Sequence, residues 1–190
     1  MIPEPDQYGP YVWALICEPR LPALHEPRPN RAVADLLNGD AARLFGITPT
    51  CDKAAMRLCV AALWMYHDCL DEAHDIVQRD DSRIAALLHG MIHTRDGDYA
   101  NARLWRRRAG RFPFFGRLSE AACEVAWDLP GIDTARPLGF GEGWDGERFV
   151  DICRDSLHSD EPDQVTCRQA MLLEWRLAFD YCYRQATGLI

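Results

Sequence analysis

Four of the chain's six histidines fall on two neighbouring stretches, His67 and His74 on one, His89 and His93 on the next. Imidazole nitrogens at such positions ligate borderline divalent ions or exchange protons near neutral pH. Over 52–79, Met56, Val60, Leu63, His67, Leu70, His74 and Val77 recur at spacings of four and three, which on a helix forms one inward seam. Asp71 lies one turn from His67 and three residues before His74, at the edge of that face. His89 and His93, four apart, share a face of the following helix. A tight connection at Asp80 and Asp81 makes the two helices antiparallel neighbours, with His74 near the level of His89 and His67 near that of His93. The seam then offers His67, Asp71, His74, His89 and His93 as candidate ligands for a divalent metal such as zinc, iron or manganese. The same imidazoles equally fit a metal-free polar core, hydrogen-bonded to Asp71, Asp68 or one another. Neither a His-Glu-x-x-His string nor a paired Glu-x-x-His motif is present.

A second constellation is Arg103, Arg106, Arg107, Arg108 and Arg111, with Trp105 among them. Guanidinium groups take carboxylates and phosphates bidentately, and an indole stacks on flat ligands. Against this stands the ordinary role of such arginines, a solvated face that opposes the helix dipole. Eight cysteines are scattered without a Cys-x-x-Cys pair and read as reduced, small core residues. Gly139 to Gly143 is glycine-rich, but it lacks the preceding strand and following lysine of a phosphate loop.

These side chains are positioned by helices. Residues 52–79 contain no glycine or proline, predicting one continuous helix of about 40 Å that serves as the spine. Ser82 caps a helix to about Arg95; Asp96, Gly97 and Asp98 turn the chain into another over Tyr99 to Ala109, ended by Gly110. Further helices are predicted over Ser119 to Asp128, Glu147 to Leu157, and from Pro162 to near Gly188. The span 130–146 reads as a shaped loop. Residues 1–29 hold seven of the twelve prolines and predict an extended arm, with an apolar patch at Tyr11 to Ile16. Asn30 caps a short helix to Leu37, stopped at Gly39, and Asp40 to Phe45 predicts another turn or two. The fold class is therefore all-α, a single-domain helical bundle over 30–190 preceded by a proline-rich arm.

Composition narrows the partners. The 190 residues are 48% hydrophobic and 26% charged, enough to bury one core. A formal charge of −8 argues against a nucleic-acid partner, whose affinity rests on cation-phosphate contacts. No window approaches the roughly 20 apolar residues of a membrane span. Glu4 and Asp6 stand where an export signal carries basic residues, so the expected location is cytoplasmic.

Gly90, Gly97-Asp98-Tyr99, Ala102, Ala109 and Pro113 fall at or within one residue of the usual positions of a tetratricopeptide unit, so residues 85–113 resemble one such helical hairpin. A wider resemblance rests on Asp71-Glu72-Ala73-His74, His89-Gly90-Met91-Ile92-His93, Asn101-Ala102-Arg103-Leu104-Trp105 with Arg107, and Glu174-Trp175 through Phe179-Asp180-Tyr181-Cys182. Over 54–188 the chain resembles a family of uncharacterised bacterial proteins. That resemblance implies a shared polar constellation of His74, His89, His93, Asn101 and Trp105, and no reaction. The leading expectation is a binding protein whose interhelical pocket holds a metal or a small anionic ligand, the latter through Asn101, Trp105 and Arg107. A metal-dependent hydrolase, with Asp71 or Glu174 as general base on bound water, is the alternative. A third is a module, built on the tetratricopeptide-like hairpin, that binds a protein partner or a second copy of the chain.

Overall fold

A computed structural model describes residues 4–39, 45, 52–127, 143–159 and 161–189. Among the described residues the chain is all-α, with nine α-helices, two short 3₁₀ turns and no strand. The helices are α1 (Pro10–Ile16), α2 (Ala34–Leu37), α3 (Lys53–Tyr66), α4 (Leu70–Val77), α5 (Arg83–Asp96), α6 (Tyr99–Ala109), α7 (Phe115–Trp127), α8 (Gly146–Ser156) and α9 (Glu161–Thr187). None is long and apolar enough to cross a membrane. The turns expected at 40–44 and the loop at 130–142 lie outside the described residues.

The continuous helix expected over 52–79 is broken. Asp52 caps α3 by accepting from the Ala54 and Ala55 N–H groups, but the helix stops at Tyr66 and restarts at Leu70. No local breaker sits there; the cause is tertiary. Asp68 adopts a left-handed conformation, φ 60°, which asparagine and aspartate tolerate better than most side chains. In that conformation its carboxylate meets the buried Arg95 guanidinium of α5, while Arg95 Nη1 donates to the Met65 carbonyl at 2.6 Å. Arg95 thus adds a second donor to a carbonyl of the last turn of α3, which also accepts the Asp68 N–H at 3.1 Å, and meets the charge of the residue that ends the helix. Arg20 adds a second ion pair to Asp68 at 3.5 Å.

With the helix broken, α3 is not the spine. Its residues Leu58 through Tyr66 are buried on every side, as expected of a helix at the centre of a core. The long element is α9, 27 residues or about 40 Å. It packs along α3, where the Trp175 indole N–H donates to the Ala62 carbonyl at 2.7 Å. The helix α7 starts four residues before the expected Ser119, because Phe114, Phe115 and Leu118 are drawn into the core.

The expected pair α5 and α6 forms as a tight antiparallel hairpin. Ser82 caps α5, Gly97 turns at φ 85°, and Asp98 caps α6 through the Asn101 N–H. The two helices approach so closely at Gly90 that a Cβ there would lie 2.8 Å from Arg106 Cγ and 3.1 Å from the Ala102 carbonyl oxygen.

The proline-rich segment is only partly extended. Pro10 occupies the first turn of α1, the one helical position where its missing N–H costs nothing. Val12, Leu15 and Ile16 of that helix are buried, Tyr8 donates to Asp180 at 3.3 Å, and Arg168 donates to the Pro22 and Leu21 carbonyls. The segment therefore lies on its own domain, leaving Tyr11 and Trp13 exposed.

Asp68→Ala removes both the partner of a buried guanidinium and a side chain suited to the left-handed turn. The expected loss in urea unfolding is about 3–5 kcal/mol; a loss below about 1 kcal/mol, the range of an exposed pair, would show that this carboxylate does not hold the break.

Candidate metal centre

Three of the histidines converge. His74 on α4 and His89 and His93 on α5 bring one ring nitrogen each to within 4.8 Å of one another. The closest approach is His74 Nε2 to His89 Nε2, 2.9 Å. The His74 ring stands edge-on to the other two, at centroid distances of 4.6 and 5.4 Å, while His89 and His93, one turn apart, lie nearly parallel at 4.9 Å. The local sequence produces this directly: spacing of four stacks His89 over His93 on one face, and the short link after α4 sets His74 opposite.

Neighbours hold the rings in place. Trp105 of α6 stacks on His89 at 4.0 Å and 15°, and the Arg108 guanidinium lies over the Trp105 ring with its carbon 5.0 Å from the centroid. His93 Nδ1 is 3.1 Å from Asp96 Oδ2, which fixes the ring and leaves Nε2 as its free nitrogen. That carboxylate-histidine arrangement is the usual support of a metal-ligating imidazole. His89 Nδ1 is buried and lacks a hydrogen-bond partner.

At His89 the surroundings favour the neutral imidazole. Burial, then the neighbouring His74 and His93, hold His89 down at about 4, so near neutral pH it keeps a lone pair available for a cation. The 2.9 Å contact requires one Nε2 to carry a proton and the other to accept it, a pairing that satisfies the two nitrogens without a metal.

The other expected ligands are elsewhere, and the broken helix is the reason. His67 falls at the end of α3, where its Nδ1 faces Asn30 Nδ2 at 3.3 Å and Tyr66 packs edge-on against its ring. Asp71 is exposed on the first turn of α4. Neither belongs to the three-histidine group. Of the expected ligand contacts only Trp105 joins it. Asn101 is exposed and donates to Asp98 Oδ2 at 2.7 Å as part of the α6 cap, and Arg107 pairs with Glu147 on the opposite side of α6. Glu174 cannot serve as a free base there, since Arg106 Nη1 and Nη2 donate to its two oxygens at 2.6 and 2.9 Å and Trp144 donates at 3.2 Å.

One participant escaped the sequence reading. Asp96 supports His93 from three residues on, a spacing that signals contact on a helix. Arg106, expected on a solvated face, is 5% exposed; nothing local distinguishes it from its neighbours.

Comparison with protein-family models, with curated proteins and with solved structures finds no match.

His67 also carries a pH signature. Burial, then the Arg20 charge, lower it from its ordinary 6.5 to about 4. The unfolded chain accepts a proton that the folded one refuses, so stability is full above 6.5, falls as pH drops toward 4, and levels below it. In chelator-treated protein, His67→Gln should reduce the slope of urea-unfolding free energy against pH across that window, with His89, lowered to about 4 as well, carrying a remaining part. An unchanged slope would show that His67 titrates alike in both states.

Proposed function

We propose that this protein is a helical metal-binding protein whose His74, His89 and His93 hold one divalent transition ion, zinc best matching the donors. The observation that carries the reading is the convergence of three imidazole nitrogens, drawn from two helices, within 4.8 Å. Nitrogens bound at about 2.0–2.1 Å in a tetrahedral site stand about 3.3 Å apart. The His74–His89 separation of 2.9 Å is slightly under that value and the three nitrogens lie within 4.8 Å of one another, so rotation about the side-chain bonds would bring them to the spacing that an ion requires. Neutral imidazole suits zinc and other borderline ions better than calcium or magnesium.

Three protein ligands leave a fourth position for water or a small ligand. His74, only half-buried, gives that position a path to solvent. Hydrolysis would further need a base beside the bound water. The two carboxylates that the sequence offered are spent or displaced: Glu174 is held by Arg106 and Asp71 faces solvent. Binding and retention of an ion is thus better supported than turnover.

The test is metal titration of tag-free protein after chelator treatment, followed by cobalt absorption and elemental analysis. One ion per chain is expected, with His74→Ala, His89→Ala and His93→Ala each abolishing stoichiometric binding. Asp96→Asn, which keeps the ring's neighbour but not its charge, should weaken affinity by about 10–100-fold. Absence of saturable binding to zinc and cobalt, or binding unaffected by loss of His89, would overturn the proposal.

A further inference from the structure

The arginines clustered near the end of α6 separate by partner. Arg103 pairs with Asp151, Arg106 with Glu174, Arg107 with Glu147 and Arg108 with Asp81. The Arg111 guanidinium has no carboxylate or hydrogen-bond acceptor among the described residues, and neither has that of Arg148 in the first turn of α8. Both line a cavity of about 350 Å³ between the end of α6 and the start of α8, a size within the range of small-molecule sites, about 300–1,000 Å³.

The cavity is amphipathic. Leu87, Phe115 and Trp144 give it apolar surface, and Arg106 forms part of the wall. Trp144, only 3% exposed, is anchored by its bond to Glu174, so that wall is rigid. Arg111 has been given its place by a backbone device. Gly143 adopts φ +93°, and a Cβ there would stand 2.8 Å from Arg111 Nη2. The guanidinium thus lies in room that only glycine leaves, in a conformation that glycine adopts without strain. Of the two carboxylates in the lining, Glu147 is committed to Arg107. Asp145 accepts the Arg148 backbone N–H at 3.0 Å as the α8 cap and is, among the described residues of the lining, the one acidic group left to oppose an incoming anion.

We propose that this cavity binds a small organic oxyanion, a carboxylate or phosphate monoester with a flat apolar body. The charged end lies between Arg111 and Arg148, and the body lies on Phe115 and Trp144. A planar guanidinium matches either oxyanion through paired hydrogen bonds, while the apolar wall favours an organic ligand over the bare ion. The site shares no ligating group with the three-histidine centre and stands whether or not that centre holds a metal.

The experiment is calorimetric and NMR titration of the full chain with phenyl phosphate, benzoate and inorganic phosphate, in chelator so that the histidine centre plays no part. Saturable one-to-one binding of phenyl phosphate or benzoate is expected, stronger than that of inorganic phosphate, and the stronger of the two organic probes identifies the oxyanion. Arg111→Ala and Arg148→Ala, both at exposed positions, should each weaken it by about tenfold. Asp145→Asn, which retains a capping side chain, should tighten it, and His89→Ala should leave it unchanged. No saturable binding of either organic probe at millimolar concentration would overturn the proposal. So would affinity unaltered in both arginine variants, or inorganic phosphate binding as strongly as phenyl phosphate.

Discussion

Arg106 is buried because Glu174 is buried opposite it, and that one bidentate pair fixes how α6 sits in the protein. Two hydrogen bonds, at 2.6 and 2.9 Å, leave the guanidinium little freedom, and breaking such a pair strands a charge where water cannot reach it. The aliphatic stem of Arg106 meanwhile lies against Gly90, so the same residue sets the distance between α5 and α6. A helix advances about 100° per residue. Once residue 106 is pinned toward α9, residue 105 must face toward α5 and residue 107 toward α8. Trp105 accordingly stacks on His89, the residue before Gly90, and Arg107 meets Glu147.

The Arg95–Asp68 pair does a comparable job at the other end of α5. By ending α3 at Tyr66, it gives α4 a direction of its own, and His74 is delivered to His89 and His93 from that new direction. His67 stays behind at the joint. Both buried pairs thus act through orientation more than through net stabilisation, which for such pairs is often small against an apolar alternative. Each has its complementary charge on an element distant in sequence, and each determines which histidine or arginine reaches a shared space.

That dependence explains what the sequence makes legible. The α5–α6 hairpin can be read within a residue or so because its signals are local: Ser82 and Asp98 as caps, Gly97 and Gly110 as stops. Helical spacing and a short link suffice for His74, His89 and His93. The break at 67–69 is not legible, since it is imposed by an arginine 27 residues further on. The seam that places His67 and Asp71 beside the others assumes an unbroken helix and fails with it. Arg106 looks like its neighbours in a polar run, and its burial depends on a carboxylate 68 residues away. Charge pairing across elements carries no periodicity, so pattern alone does not reveal which arginine turns inward.

The same pinning bears on how the two candidate sites relate. Trp105 and Arg108 lie on one side of α6 and serve the histidine group, whereas Arg107 and, past the helix end, Arg111 belong to the cavity. Arg106 lies between these faces, its side chain in the wall of the cavity and its stem against α5. For occupancy of one site to alter the other, α6 would have to rotate or shift between two arrangements that the ligands bind differently. Rotation would tear Arg106 from Glu174, and translation toward α5 is blocked at Gly90, where the helices already touch. The sites therefore share a wall without sharing a moving part, and the geometry favours independent occupancy.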